Sequence, residues 1–246
     1  MAELGSMRVI PTIPDWSVVT EPAARRAIEG ILAAGHYDSR FGGLEADTAN
    51  VLAQILRLYV QLGRAPTVQE IAAQARMSES AVRDHLVRLG ERDLILLDPA
   101  RSAILGAYPF TEAATGHCVT FARTGSTLAT MCAIDALGAG AMCREDVTIR
   151  SACRACESPV IACTSDRGMV LKEVTPADSI VWIGLRQSSG CAADSLCTAL
   201  LFFCGDEHLE RWRASFGAGD GYRLSIEEAF QVGKALFIDR AMMGRD

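Results

Sequence analysis

A thiol and a carboxyl stand three residues apart in Cys132-Ala133-Ile134-Asp135. On a helix, positions i and i+3 share a face, so sulfur and carboxyl would enter one pocket from one rigid element. The flanks, Leu128-Ala129-Thr130-Met131 and Ala136-Leu137-Gly138-Ala139, carry no charge. An aspartate in such surroundings is expected to be partly buried, and burial without a cationic partner raises a carboxyl pKa. A carboxylic acid that keeps its proton near neutral pH is a usable proton donor. The plainer reading is a small core cysteine beside a solvated aspartate, and Cys-x-x-Asp alone does not exclude it.

The other cysteines set the context. All nine lie between Cys118 and Cys204, and the first 117 residues have none. Met1 to Pro14 shows no basic region followed by an apolar stretch, so no secretory signal is read there. Reduced thiols in a cytoplasmic protein are therefore expected rather than a disulfide framework. Cys197, in Asp194-Ser195-Leu196-Cys197-Thr198-Ala199-Leu200-Leu201-Phe202-Phe203, reads on its own segment as a core cysteine. Cys153-Arg154-Ala155-Cys156 resembles half a zinc knuckle or a redox pair. A structural zinc takes four ligands, usually from two such pairs. Cys143 and Cys163 are near in sequence, but there is no second CxxC. A redox CxxC normally opens a helix, whereas this one falls between two predicted strands. His85 and His117 have no partner motif and are read as structural.

The elements that must hold these residues follow from periodicity. Residues 1–45 read as an arm and one helix, Ala23 to Ala34, with Thr20 as its cap and Gly35 then Gly42-Gly43 ending it. Residues 46–108 read as a winged helix-turn-helix. Val51, Ile55, Leu58 and Leu62 define a first helix, Val68 to Ala75 a second and Ser80 to Leu89 a third. The strands Leu94 to Leu97 and Ala103 to Tyr108 complete that unit. Residues 109–246 read as a cysteine-rich core, the part expected to be catalytic. There Cys118 to Arg123, Val147 to Ser151, Val160 to Thr164, Met169 to Val174 and Ile180 to Leu185 read as strands. Thr127 to Gly138, Glu207 to Ser215 and Ser225 to Met243 read as helices, and Leu196 to Phe203 as strand or buried helix. The fold class is α+β: a winged-helix-like helical region, then a mixed core of short, mostly antiparallel strands with flanking helices.

Composition excludes some partners. The formal charge is −6, so the chain lacks the general attraction to phosphate that nucleic-acid binders use. The same balance argues against adhesion to an anionic membrane, and no apolar run is long enough to span one. The third helix offers Glu79, Arg83, Asp84 and Arg88, a mixed-charge face, whereas groove-reading helices tend to be net positive.

Several segments together resemble the bacterial alkylmercury (organomercurial) lyases. They are Met131-Cys132-Ala133-Ile134-Asp135-Ala136-Leu137, Val147-Thr148-Ile149-Arg150-Ser151-Ala152-Cys153, Ser195-Leu196-Cys197 leading into Phe202-Phe203, and Ser225-Ile226-Glu227-Glu228-Ala229-Phe230-Gln231-Val232-Gly233. The similarity runs over roughly residues 115–243, and a winged-helix-like N-terminal part fits the family as well. The resemblance implies that Cys132 and Cys197 are catalytic thiols that also hold Hg(II), with Asp135 the acid and a possible third ligand. It implies a structural role for Cys153. It implies no organic cofactor, organomercurial substrates, and release of Hg(II) to free cytosolic thiols or a mercuric reductase. Met131 stands where the family often has an aromatic residue, and Thr198 where it often has another cysteine.

Two other readings use the same features. One is a winged-helix regulator that senses metal or thiol-reactive stress; the other is a relative with the same fold and different thiol chemistry. The acidic charge and mixed third helix predict no salt-dependent gel shift with upstream DNA, and a shift that changes with metal would favour the regulator.

Overall fold

The computed structural model describes residues 14–35, 40, 42–185, 191–217, 219–238 and 240. The arm expected before residue 14, and the far end of the helix expected to reach Met243, lie outside them. Helix α1, Pro22–Gly35, starts on a proline, whose missing N–H costs nothing in a first turn. Helix α2, Ala46–Leu62, stops at Gly63, which takes the left-handed conformation at φ 69°. Helix α3, Val68–Ala75, opens on a reciprocal Thr67–Glu70 capping box. Helix α4, Glu79–Glu91, is capped by Ser78. Its outer cations are engaged with acids: Arg83 lies 3.6 Å from Glu79 and Arg88 3.1 Å from Glu45.

Strands β1 (Ile95–Leu97) and β2 (Ile104–Ala107) pair antiparallel. They are followed by β3 (Phe110–Thr111), β4 (Cys118–Phe121), β5 (Thr127–Thr130), helix α5 (Ala133–Cys143), β6 (Val147–Ala152), β7 (Pro159–Ser165) and β8 (Val170–Thr175). These strands make one eight-stranded sheet in the order β1-β2-β3-β5-β4-β6-β7-β8, which runs without a break across residue 108. The remainder is β9 (Ile180–Gly184), β10 (Leu200–Phe203), helix α6 (Asp206–Phe216), β11 (Gly221–Ser225) and helix α7 (Ile226–Phe237). Its strands form a second sheet, β10-β9-β11. Every pairing among the described strands is antiparallel, and the protein is an α+β fold.

The helix expected over Thr127 to Gly138 is two elements. Thr127–Thr130 is strand β5, paired with Phe110–Thr111 on one side and Cys118–Thr120 on the other. Threonines at both ends suit a pleated surface, and partners on both edges override a weak helical pattern. The helix begins only at Ala133. Leu196 to Phe203, left open between strand and helix, is a short 3-10 turn at Cys197–Ala199 running into β10.

Helix α5 is the centre of the molecule. All of its residues from Ala133 to Met142 are buried, as expected of a helix apolar on every side. It packs on β4, β5 and β6, touches β10, and lies along α7. The two helices meet at glycines. A Cβ on Gly138 would fall 2.5 Å from a Phe237 ring carbon and 2.6 Å from the Gly233 carbonyl oxygen. The neighbour is backbone, so it cannot turn aside. Gly138→Ala should therefore destabilise the fold by about 1–3 kcal/mol despite the better helix propensity of alanine. A urea midpoint equal to or above wild type would show that the helices are not in hard contact.

Candidate active site

The change from β5 to α5 falls on the first site residue. Cys132 is extended (φ −155°, ψ −179°) and serves as N-cap of α5. Its sulfur accepts a hydrogen bond from the Asp135 backbone N–H at 3.5 Å, in the place where a serine or aspartate oxygen usually sits. The cap thus turns Sγ toward the first turn, where Asp135 follows. Cys197 arrives from the other sheet, in the turn that leads into β10. Its thiol donates to Asp135 Oδ2 at 3.9 Å. One sulfur from each cysteine and one Asp135 oxygen all lie within 4.8 Å of one another, and all three residues are buried. They border a small cavity of about 30 Å³, lined also by Ile31, Arg40, Tyr108, Leu196, Leu236 and Phe237.

This environment resists charge. Burial raises the Asp135 carboxyl to about 7, against the pull of its Cys132 hydrogen bond and of Arg240 and Arg40. Burial is also the main cause that pushes the Cys132 thiol well above its ordinary range, aided by Cys197 and Asp135. For Cys197, a hydrogen bond with Cys132 acts downward, yet burial and the Asp135 charge leave the thiol raised. Near neutral pH the resting site therefore holds two neutral thiols and a carboxyl divided between its protonated and ionised forms.

Residues far away in sequence hold the Cys197 segment. Asp93 accepts from the Ala192 N–H at 2.9 Å and from the Tyr108 hydroxyl at 3.2 Å. Tyr108 in turn accepts from the Ala193 N–H at 2.9 Å. Arg40 bonds the Asp93 backbone carbonyl, pairs with its carboxylate at 3.2 Å, and lies 4.7 Å over the Tyr108 ring. The anchored stretch then folds on itself through Cys197 N–H to Ala192 O at 2.9 Å and Ser195 Oγ to Cys191 O at 2.8 Å. The sequence alone gives no site role to Arg40, Asp93, Tyr108 or Arg240, because their partners are not local and no motif marks them. Met131 is buried, and Thr198 is exposed and bonds the Ser195 carbonyl at 2.7 Å.

The remaining singled-out residues lie elsewhere. His85 pairs with Thr48 at 2.9 Å, and His117, which burial lowers to about 4, pairs with Ser151 at 2.7 Å. Cys153 and Cys156 approach Cys204 and His208. All nine cysteines are free thiols. Among the described residues no helix is long and apolar enough to cross a membrane.

The fold thus buries two thiols and a carboxyl of raised pKa together, a candidate thiol–carboxylate site. The family model for MerB, alkylmercury lyase, matches residues 110–238, more than half of the 246-residue chain. The chain belongs to the alkylmercury lyase family, a family of carbon–mercury lyases. Among solved structures it is similar to the crystal structure of the mercury-bound form of MerB2, at 22% identity and a TM-score of 0.66, covering 88% of this chain and 98% of that one. At that identity the likeness is one of fold. Comparison with curated protein sequences found no match.

The raised Asp135 pKa has a consequence for stability. The folded chain holds this proton more tightly than the unfolded chain does. The stabilisation is complete below the unfolded value, near 3.8, and is lost as pH rises through about 7. Asp135→Asn removes the titration. Denaturation midpoints of wild type and this variant, followed from about pH 5 to about pH 9, should diverge in favour of the variant by on the order of a few kcal/mol. Parallel curves would contradict a buried carboxyl that holds its proton.

Proposed function

We propose that the protein cleaves the carbon–mercury bond of alkyl- and arylmercury cations by protonolysis, with Cys132, Cys197 and Asp135 as the reacting groups. The observation that carries this reading is the meeting of two sulfurs and one carboxyl raised to about 7 in a buried site. Mercury is a soft cation, and thiolates are the soft ligands that proteins possess. An R–Hg⁺ ion exchanges onto Cys132, and the displaced thiol proton leaves to solvent. The mercury charge then replaces the water that burial removed, so the neighbouring thiol ionises more easily. Raised to about 7, Asp135 is ionised in a share of the molecules at neutral pH; there Cys197 passes its proton to the carboxylate, to which its thiol already donates, and its thiolate becomes the second ligand. Electron density from two sulfurs weakens the Hg–C bond. Asp135 delivers the proton to carbon as the bond breaks, acting first as base and then as acid.

The balance is one R–Hg⁺ and two thiols giving R–H, one proton and a mercury(II) bis-thiolate. The protein supplies every group, so this reading needs no organic cofactor. Free thiols of the cytosol then withdraw Hg(II), directly or on its way to a mercuric reductase. The cavity is about the share of one water molecule in liquid. A volume this small means that a bound organomercurial displaces part of the lining, and Leu196 and Leu236 are the apolar lining residues that would contact the organic group.

Purified protein given methylmercury or phenylmercury in excess thiol should release methane or benzene. Cys132→Ala and Cys197→Ala should reduce release to background, and Asp135→Asn should slow it by about 100-fold or more. Wild-type protein that yields no more hydrocarbon than Cys132→Ala would sink the reading.

A further inference from the structure

A second cluster of metal-binding side chains lies at another junction of the two sheets. Cys153 and Cys156 sit in the connection between β6 and β7, Cys204 directly follows β10, and His208 is in the first turn of α6. One ligand atom from each lies within 4.8 Å of every other. Cys153 Sγ is 3.4 Å from His208 Nδ1, and Cys156 Sγ is 3.8 Å from Cys204 Sγ. A tetrahedral zinc with bonds of about 2.3 Å to sulfur and about 2.0 Å to nitrogen has edges of about 3.8 Å between sulfurs and about 3.5 Å from sulfur to nitrogen. Two opposite edges of such a tetrahedron are thus already at length. The sulfur pair is far beyond a disulfide bond of about 2.05 Å, and all three cysteines are free.

The backbone shapes the Cys153–Cys156 segment as a knuckle. Glu157 N–H bonds Cys153 O at 2.8 Å, and Cys153 N–H bonds Ser158 O at 2.9 Å. Glu157 takes a left-handed φ of 62° to close the turn. Arg154 N–H bonds Phe202 O at 2.9 Å and ties the knuckle to β10. We propose that Cys153, Cys156, Cys204 and His208 form a structural zinc(II) site that clamps the β6–β7 hairpin to the β10–α6 junction. Three thiolates and one imidazole close the coordination sphere and leave no position for substrate, which separates this site from the two-sulfur cavity around Asp135.

Protein purified without chelator should carry about one zinc per chain, and cobalt(II) in its place should show the ligand-field and thiolate charge-transfer bands of a tetrahedral sulfur-rich centre. Cys156 is exposed, so Cys156→Ser opens no core cavity; its zinc should fall below about one per ten chains. His208→Cys should keep the metal with four sulfurs, and Cys132→Ala should keep it unchanged. A strong chelator should lower the melting temperature of wild type and leave that of Cys156→Ser where it is. Wild type without zinc or a cobalt spectrum, Cys156→Ser with full zinc, or a Cys156–Cys204 disulfide in freshly purified protein would each overturn the proposal.

Discussion

A carboxyl and two thiols withdrawn from water resist ionisation together, and the neighbouring elements serve that condition. Asp135 is 4% exposed and Cys197 8%. Charge is unfavourable in such a place until a cation arrives to compensate it. The two thiols therefore rest neutral, and the carboxyl holds its proton to a far higher pH than an exposed aspartate does. The same neutrality keeps the thiols poor nucleophiles toward ordinary electrophiles, since the thiolate is the reactive form. In the proposed reaction a soft metal cation supplies the compensating charge and so switches on its own ligands.

Geometry at this site comes from where one helix starts. With Cys132 as cap, sulfur and carboxyl share the first turn of α5, and the buried body of that helix fixes the turn in space. The Gly138–Gly233 contact brings α7 close enough for Leu236 and Phe237 to line the cavity. Asp135, one turn before Gly138, inherits its position from a backbone-to-backbone contact that no rotamer change can relax.

The legible parts of the fold were those with strong local signals. Helix α3 carried its capping box in Thr67 and Glu70 and was found to the residue. Gly63 marked the end of α2. Thr127–Thr130 was misread because its strand character comes from partners on both edges, not from its own pattern. For the site, the Cys132–Asp135 pair could be argued from spacing alone. Cys197 could not, because the contact spans 62 residues, and its inclusion rested on resemblance. Cys204 and His208 escaped for the same reason: a CxxC announces itself, whereas its two remaining neighbours come from 48 and 55 residues away.

The Arg40–Asp93–Tyr108 network lies wholly ahead of residue 110, where the family match begins. Yet it grips the backbone of Ala192 and Ala193, which presents Cys197. The half of the chain that holds every cysteine is consequently tied to the N-terminal part at the segment that carries Cys197. A relative built on a different N-terminal region inherits the thiols but must find another way to hold the second one in register, so exchange of that region is a route by which metal chemistry could be lost or redirected without touching any cysteine.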